Sequence, residues 1–254
     1  MPLPERLPTT GAWSSAPRRP VGTVVGRIPA ARPSRSRAPL GVLVAAGEEG
    51  VGASVTAALL AREARDHGAR VLLVGPQLRA QRLAALFGVA LPGPDFPPVV
   101  VERDIEVADR VPSITDADVI LLVPGAHVPQ LLDAIDELAA RTAPAKSVVL
   151  APGGGASLAA TFAVLKLLVG RRPQCAATVL PWGDADVTPL RDAAERWLGR
   201  PLPTAPALPI DPTLPVALRA GIPLAEAVAD TALTTAAGAL WTALSTSAST
   251  GVLS

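Results

Sequence analysis

Residues 40–54 read LGVLVAAGEEGVGAS, an apolar run followed directly by a glycine-rich turn. The apolar part, Leu40–Ala46, has the length and the side chains of a buried β-strand. The residues after the turn have helical spacing, which predicts a helix near 52–67. A glycine-rich turn between a strand and a helix is the setting that a phosphate-binding loop requires. The unpaired N–H groups of the turn and of the helix N-terminus can hold an anion there.

The alternation of strands and helices continues along the chain. Short apolar runs predict further strands at Val71–Val74, Val99–Val101, Val119–Val123, Ser147–Ala151 and Ala176–Leu180. Helical patterns lie near residues 79–87, 130–141, 156–168 and 189–198, and 225–244 is predicted as one Ala- and Leu-rich helix. Nearly continuous apolar strands separated by helices indicate an α/β fold, with a doubly wound, mostly parallel sheet and helices on both faces.

The N-terminal segment differs from the rest of the chain in composition and charge. Residues 1–39 contain seven arginines and one glutamate, whereas the whole chain has a formal net charge of +1. The segment is rich in Pro and Ser and lacks apolar periodicity. We therefore predict a flexible leader at 1–38, an α/β domain at 39–246 and a flexible tail at 247–254. The arginines give the leader a way to contact nucleic acid or another acidic partner.

The composition argues against several functional classes. One cysteine, Cys175, cannot form an internal disulfide and suits a reducing compartment. The N-terminus lacks the apolar core of a secretory signal. The longest apolar stretch, 147–170, is interrupted by three glycines and contains Lys166, so no membrane span is predicted. Two histidines and one cysteine give no support to a zinc site. We expect a cytoplasmic protein.

The remaining histidines and tryptophans favour structural roles. His67 precedes Gly68 at the end of a predicted helix, where an imidazole can interact with the last carbonyls. His127 follows the strand Val119–Val123, at the edge of the sheet where ligands bind. Three tryptophans of the second half are interpreted as core or interface anchors: Trp182, Trp197 and Trp241.

Four segments resemble the MinD/ParA-type ATPases, a P-loop family with a deviant Walker loop. Residues 44–61, VAAGEEGVGASVTAALLA, resemble the family's KGGVGKTT loop and the helix that follows it. Residues 69–88 resemble its second strand and helix, 118–123 resemble a later strand, and 208–224 resemble a segment near its end. The four occur in the family's order over about residues 40–245. The resemblance implies a P-loop NTPase-like fold and a tendency to form dimers.

The phosphate loop departs from the family pattern at the charged positions. Glu48 stands where the family has its signature lysine, and Ala53 stands where it has the P-loop lysine. Ser54 keeps the hydroxyl that would ligate Mg²⁺, while Gly75 and Gln77 replace the acidic pair after the second strand. The resemblance thus implies a vestigial phosphate loop with no catalytic residue and no metal site. Its candidate cofactor-binding residues are Gly47, Gly50, Val51, Gly52, Ser54 and Val55.

Three functional hypotheses follow. The first is a non-enzymatic pseudo-ATPase, without ATP or Mg²⁺ as a cofactor, that binds a protein partner. The resemblance implies a positioning role in pilus, division or partition machinery, as in TadZ/CpaE-like or septum-site proteins, and a dimer with itself or with an ATPase relative. The second is a weak ATP binder or slow ATPase that uses Ser54 with Arg79 or Arg82. The third is a partition protein that binds DNA non-specifically through its Arg-rich leader.

Overall fold

The computed structural model of the protein describes residues 38–91, 96–113, 115–142, 145–172, 176–229 and 231–246. The predicted leader, apart from Ala38, and the predicted tail at 247–254 lie outside the described residues. The hypothesis that the leader binds nucleic acid concerns these residues. Cys175 also lies outside the described residues.

A single sheet runs through the described part of the chain, and its seven strands carry the apolar runs of the sequence. Their order across the sheet is β3-β4-β2-β5-β1-β6-β7. Every pair of neighbours is parallel except β3 and β4, which are antiparallel. The predicted mostly parallel, doubly wound sheet is confirmed. The strands are β1 (Leu40–Ala46), β2 (Val71–Val74), β3 (Val99–Glu102), β4 (Ile105–Ala108), β5 (Val119–Leu122), β6 (Ala145–Ala151) and β7 (Ala176–Pro181).

Helices cover both faces of the sheet, as predicted. The described helices are α1 (Ala53–Asp66), α2 (Gln77–Leu86), α3 (Val128–Arg141), α4 (Gly155–Arg171), α5 (Thr188–Leu198), α6 (Leu214–Arg219), α7 (Leu224–Ala227) and α8 (Ala232–Thr246). One apolar cluster lies between the sheet and α1, α2 and α8. A second lies between the opposite face and α3, α4 and α5. Among the described helices, none is long and apolar enough to cross a membrane.

β3 and β4 form a hairpin, and the sequence predicts only the first of these two strands. The run Val99–Val101 belongs to β3, as expected, whereas no strand is predicted at 105–108. The two strands are joined by Arg103 and Asp104, and Asp104 adopts a positive φ of 60°. Asp tolerates this left-handed conformation better than most residues, which allows the tight antiparallel turn. The hairpin makes β3 the antiparallel edge strand of the sheet.

The prediction of one helix at 225–244 is wrong, because this stretch contains two helices. α7 ends at Ala227, and α8 begins at Ala232. The hydroxyls of Thr231 and Thr234 donate hydrogen bonds to the carbonyl oxygen of Val228, at 3.0 and 2.8 Å. Side chains that bond the backbone in this way offer it an alternative to the helical ladder, so the break is stabilised locally.

The topology gathers the connecting loops at one edge of the sheet. β1 lies between β5 and β6, near the middle. Parallel strands place their carboxyl ends at the same edge, so the loops after β1, β2, β5, β6 and β7 all lie there. We refer to this edge as the carboxyl edge. It contains the glycine-rich loop after β1.

Candidate functional site

The loop after β1 forms the predicted strand-to-helix turn. Gly50 and Gly52 have positive φ angles of 81° and 91°, which glycine adopts at little cost. Gly52 is the N-cap of α1, and its carbonyl accepts the first helical hydrogen bond from the N–H of Thr56 at 2.8 Å. The first N–H groups of α1 have no partner within the helix. The loop therefore keeps the backbone features of an anion-binding turn.

A cavity of about 230 Å³ lies over this loop. Five of the six predicted binding residues line it: Gly50, Val51, Gly52, Ser54 and Val55. The sixth, Gly47, is not in the lining and lies against α4, where an added Cβ would be 2.7 Å from the carbonyl oxygen of Ala160. The other residues of the lining are Ala46, Glu48, Ala53, Arg79, Arg82, Leu86, Pro124 and Ala126. Binding of phosphate by this cavity stays a prediction.

Glu49 is held at the carboxyl edge by donors from two other loops. Its carboxylate oxygens accept hydrogen bonds from Nη2 of Arg79 at 2.6 and 2.7 Å. Oε1 also accepts the backbone N–H of Ala126 at 3.0 Å, and Nη1 of Arg82 lies 3.8 Å from Oε2. These contacts connect the loop after β1 with α2 and with the loop after β5.

The same donors stabilise the charged form of Glu49. The Ala126 N–H, followed by the Arg79 and Arg82 guanidinium groups, lowers the pKa of the Glu49 carboxyl from its ordinary value, although partial burial opposes the shift. Glu49 is therefore ionised at neutral pH. The structure gives it a cationic partner inside the fold.

Glu48 points towards a different element. Its Oε2 accepts a hydrogen bond from Oγ of Ser157 at 3.1 Å, in the first turn of α4. The first turn of α4 has no acidic residue of its own, so the Glu48 carboxylate supplies the negative charge that a helix N-terminus favours. The two adjacent carboxylates thus have separate structural partners.

Arg79 lies close to the loop because Gly75 leaves room for its side chain. A Cβ on Gly75 would be 2.7 Å from Cγ of Arg79 and 3.1 Å from the carbonyl oxygen of Val123. Nη1 of Arg79 also donates a long hydrogen bond of 3.4 Å to Oγ of Ser54. Arg79 and Arg82 therefore enter the cavity from α2, as the second functional hypothesis supposed. Gln77, the other substituted position, lines a neighbouring groove.

A second, larger depression continues along the carboxyl edge from the cavity. It has a volume of about 710 Å³, and we refer to it as the edge groove. His127, the N-cap residue of α3, lines it, so the prediction that His127 lies at this edge is confirmed. The exposed side chain of Leu78 forms part of its wall. The remaining lining residues are Glu49, Pro76, Gln77, Arg79, Arg82, Asp109, Arg110, Gly125 and Gln130.

The second histidine and three tryptophans occupy different environments in the fold. His67 ends α1, and its Nδ1 lies 2.8 Å from the carbonyl oxygen of Glu63, which confirms the expected capping role. Trp241 belongs to the core. Trp182 is partly buried and covers Gly52, where a Cβ would be 2.6 Å from ring atom Cζ3. Trp197 is 72% exposed, so it is not a core residue.

The charged residues in the lining of the cavity are Glu48, Arg79 and Arg82. Its cations are two arginines, which hold phosphate oxygens well but exchange no protons near neutral pH. Within the described part of the chain, no group of three or more His, Cys, Asp and Glu residues could hold a metal ion. The Ser54 hydroxyl lines the same cavity beside Arg79. Sequence reasoning missed Ser157, Ala126 and Trp182, which approach the loop only through the fold.

No protein-family model matches the sequence, and no curated protein matches it significantly. Solved structures do match the fold. The cell division ATPase MinD of Pyrococcus furiosus superposes with a TM-score of 0.61 and 18% identity, covering 81% of this chain and 98% of that one. In the MinC:MinD cell division protein complex of Aquifex aeolicus, the matched chain gives a TM-score of 0.58 at 17% identity, covering 80% and 95%.

A plasmid partition protein of Borrelia burgdorferi B31, solved with AMPPNP bound, is similar to a comparable degree. Its TM-score is 0.60 at 9% identity, and the match covers 82% of this chain and 99% of that one. The matches cover 80 to 82% of this chain and nearly the whole length of those chains, whereas the sequences differ at most positions. The chain therefore has the fold of the MinD/ParA-type P-loop ATPases.

Proposed function

We propose that this chain is a non-enzymatic MinD/ParA-like protein that binds a protein partner and acts as a positioning factor in pilus, division or partition machinery. The observation that carries the proposal is the pair of carboxylates in the phosphate loop. Glu48 is bonded to Ser157, and Glu49 is bonded to Arg79. Both are built into the fold at the place where a triphosphate would need positive charge.

Simple magnitudes support the loss of nucleotide chemistry. Two like charges about 4 Å apart interact unfavourably by about 4 kcal/mol at the effective dielectric of a protein surface. Micromolar affinity corresponds to about 8 kcal/mol in total, so one such contact removes about half of it. The cavity of about 230 Å³ is also below the size of about 300 Å³ at which small-molecule pockets usually begin.

The carboxyl edge has features that suit a protein partner. Leu78 is 68% exposed in the first turn of α2, and Val128 is 49% exposed at the start of α3. Ile210 is 62% exposed and lies beside Gly183, just after β7, where an added Cβ would be 2.6 Å from Cδ1 of Ile210. Exposed apolar side chains favour a protein interface, and one of them, Leu78, lines the edge groove together with Arg79 and Arg82. The matched MinD chain from A. aeolicus was solved in a complex with MinC.

Nucleotide binding is the first test. We expect calorimetric titration of the whole chain with Mg-ATP and Mg-ADP to give no heat of binding, and an assay of phosphate release to give no turnover. P. furiosus MinD, measured in the same buffer, serves as the positive control. A dissociation constant of about 50 µM or below for either nucleotide would overturn the non-enzymatic proposal.

Partner binding is the second test. We expect the chain to associate with itself or with an active MinD/ParA-type ATPase from the same cell, measured by sedimentation velocity. Leu78→Glu should abolish the complex, because it places a charge on the apolar rim. Trp197→Glu is the matched control, since Trp197 is equally exposed but lies in the last turn of α5, far along the helix from the carboxyl edge. Equal complex formation by the two variants would contradict this surface.

Weak nucleotide binding is a second candidate function, and one contact favours it. Nη1 of Arg79 lies 3.4 Å from Oγ of Ser54, so a cation and a hydroxyl lie together in the cavity over the loop. Arg82 lines the same cavity. This function predicts that ATP raises the melting temperature of the protein and that Ser54→Ala abolishes the increase.

A further inference from the structure

The cationic groups of the site are bound by an anion of the chain itself, the carboxylate of Glu49. The Glu49 carboxylate engages Arg79 through both oxygens, at 2.6 and 2.7 Å, and accepts the Ala126 N–H at 3.0 Å. Both contacts with Arg79 come from one nitrogen, Nη2. Guanidinium and backbone N–H groups are donors that proteins use for phosphate oxygens. Arg82, 3.8 Å away, adds a second positive charge.

The acceptor and its two donors come from three segments that are adjacent in space but distant in sequence. Glu49 follows β1, Arg79 lies in α2 after β2, and Ala126 follows β5. These strands are neighbours in the order β2-β5-β1. The side chain of Arg79 is only 12% exposed, whereas that of Glu49 is 46% exposed. The arginine is thus fixed in the fold, and the carboxylate reaches it from the solvent side.

One glycine, Gly75, leaves the space in which the guanidinium of Arg79 lies. A Cβ on Gly75 would be 2.7 Å from Cγ of Arg79, so a larger residue there would displace the guanidinium. A Cβ on Gly125 would be 3.5 Å from Oε1 of Glu49, which is an ordinary van der Waals contact, so this position does not restrict the carboxylate. The guanidinium therefore lies in a space that a side chain at position 75 would narrow.

We propose that Glu49 is an autoinhibitory internal anion, which occupies Arg79, Arg82 and the Ala126 N–H and thereby closes the phosphate loop to pyrophosphate-containing ligands. A carboxylate tethered five residues or fewer from the loop glycines competes at a high effective concentration, on the order of millimolar or above. A free phosphate has to displace it to reach the same donors. The inference deepens the proposed function, because it gives the reason why the loop rejects nucleotides.

The test compares the binding of inorganic pyrophosphate to four forms of the full chain by calorimetry at constant ionic strength. Glu49→Gln keeps the shape of the side chain but removes its charge, and it should bind pyrophosphate at least tenfold more tightly than the wild type. Glu48→Gln is the matched control, because Glu48 is the neighbouring carboxylate of the same loop and its hydrogen bond is with Ser157, not with Arg79. It should bind within twofold of the wild type. The double variant Glu49→Gln, Arg79→Gln should lose the gain.

Each other outcome overturns the inference. Equal gains in Glu49→Gln and Glu48→Gln would mean that the cavity responds only to net charge. No gain in Glu49→Gln, with its circular dichroism spectrum unchanged, would mean that Glu49 blocks nothing. If Glu49→Gln does not fold, Glu49→Asp replaces it, since the shorter side chain keeps the charge but cannot reach Arg79 and Ala126 together. It should bind at least threefold more tightly than the wild type, and an unchanged affinity would refute the inference.

The outcome for the proposed function is read separately. That proposal concerns wild-type binding of Mg-ATP and of a protein partner, whereas the internal anion is judged by the ratio of two pyrophosphate affinities. A chain that binds no protein partner would refute the first without deciding the second, whereas wild-type binding of Mg-ATP would count against both, because ATP contains a pyrophosphate group. A missing gain in Glu49→Gln would refute the second and leave the partner surface intact.

Discussion

The indole ring of Trp182 lies directly over Gly52, the N-cap residue of α1. A Cβ on Gly52 would be 2.6 Å from ring atom Cζ3 and 3.0 Å from Cζ2. The ring follows β7, so it connects the edge of the sheet with the phosphate loop at its centre. A glycine is needed here for two reasons, the positive φ of 91° and the close approach of the ring.

Gly52→Ala should therefore destabilise the protein by about 2 to 4 kcal/mol, the sum of a left-handed alanine and an overpacked contact. The measurement is equilibrium unfolding in urea. Gly50→Ala is the matched control, because Gly50 has a similar φ of 81° but an added Cβ there would have no neighbour within 4 Å. It should lose only about 1 to 2 kcal/mol. In a Trp182→Ala background the two substitutions should cost the same, and a persistent difference would contradict the ring contact.

Glu48 should stabilise α4 through the helix N-terminus rather than weaken the loop. Glu48→Lys reverses the charge beside the first turn of α4 and removes the acceptor for the Ser157 hydroxyl. We expect a loss of about 1 to 2 kcal/mol in unfolding free energy at low salt, and a smaller loss at 0.5 M NaCl. Ser157→Ala should reduce the effect of Glu48→Lys, because the two residues share one hydrogen bond. An additive double variant would refute the contact.

The fold could be predicted from the sequence because most of its strands and helices are recognisable from short, continuous stretches of residues. Apolar runs such as Val71–Val74 and Val119–Leu122 are buried on both faces of a parallel sheet and read as strands without any knowledge of their neighbours. β4 was missed because it is four residues long and contains Glu106, which breaks the apolar run. The split between α7 and α8 was missed because threonine hydroxyls produce it.

The site was predictable only where it is continuous in sequence. The spacing of Gly50, Gly52 and Ser54 marked the loop. The contact of Glu49 with Arg79 depends on where α2 lies after a full crossover, and the approach of Trp182 depends on the register of β7. Sequence alone gives the charges of such residues but not their partners. This is why the hydrogen bonds of Glu48 with Ser157 and of Glu49 with Arg79 could not be predicted from the sequence.

Lys146 should make stability increase with pH above neutrality. This residue of β6 is buried, and its ammonium group donates to the carbonyl oxygen of Leu244 in the last turn of α8. Burial lowers the pKa of Lys146, so the native state binds fewer protons than the unfolded state between that pKa and about 10.4. The contribution of Lys146 to stability is therefore lost as pH falls through this window and gained as pH rises.

The test is the pH dependence of Lys146→Met. The substitution removes a hydrogen bond that contributes about 1 kcal/mol, and it also removes the cost of burying a charge. The loss of unfolding free energy should therefore be larger at pH 10 than at pH 7. Lys166→Met, at an exposed position of α4, is the control and should change stability by less than about 0.5 kcal/mol at both pH values. A loss that shrinks towards pH 10 would contradict the buried ammonium.

Glu106 should reduce the stability of the protein at neutral pH. It lies half-buried on β4, and burial, reinforced by the charge of Asp116, raises the pKa of its carboxyl, although Arg70 opposes the shift. The native state then binds more protons than the unfolded state above about pH 4.3. The stabilising contribution of Glu106 is present below that pH and is lost as pH rises through the raised pKa.

Glu106→Gln removes the buried charge, so its melting temperature should exceed that of the wild type at pH 7, and the difference should shrink towards pH 4. Glu102→Gln is the matched control on the adjacent strand. Glu102 is paired with Arg65 and Arg62, so its loss should lower stability, by less than about 1 kcal/mol because the pair is partly exposed. If Glu106→Gln lowered the melting temperature at pH 7, as Glu102→Gln is expected to do, Glu106 would have to be stabilised by Arg70 more than it is destabilised by burial.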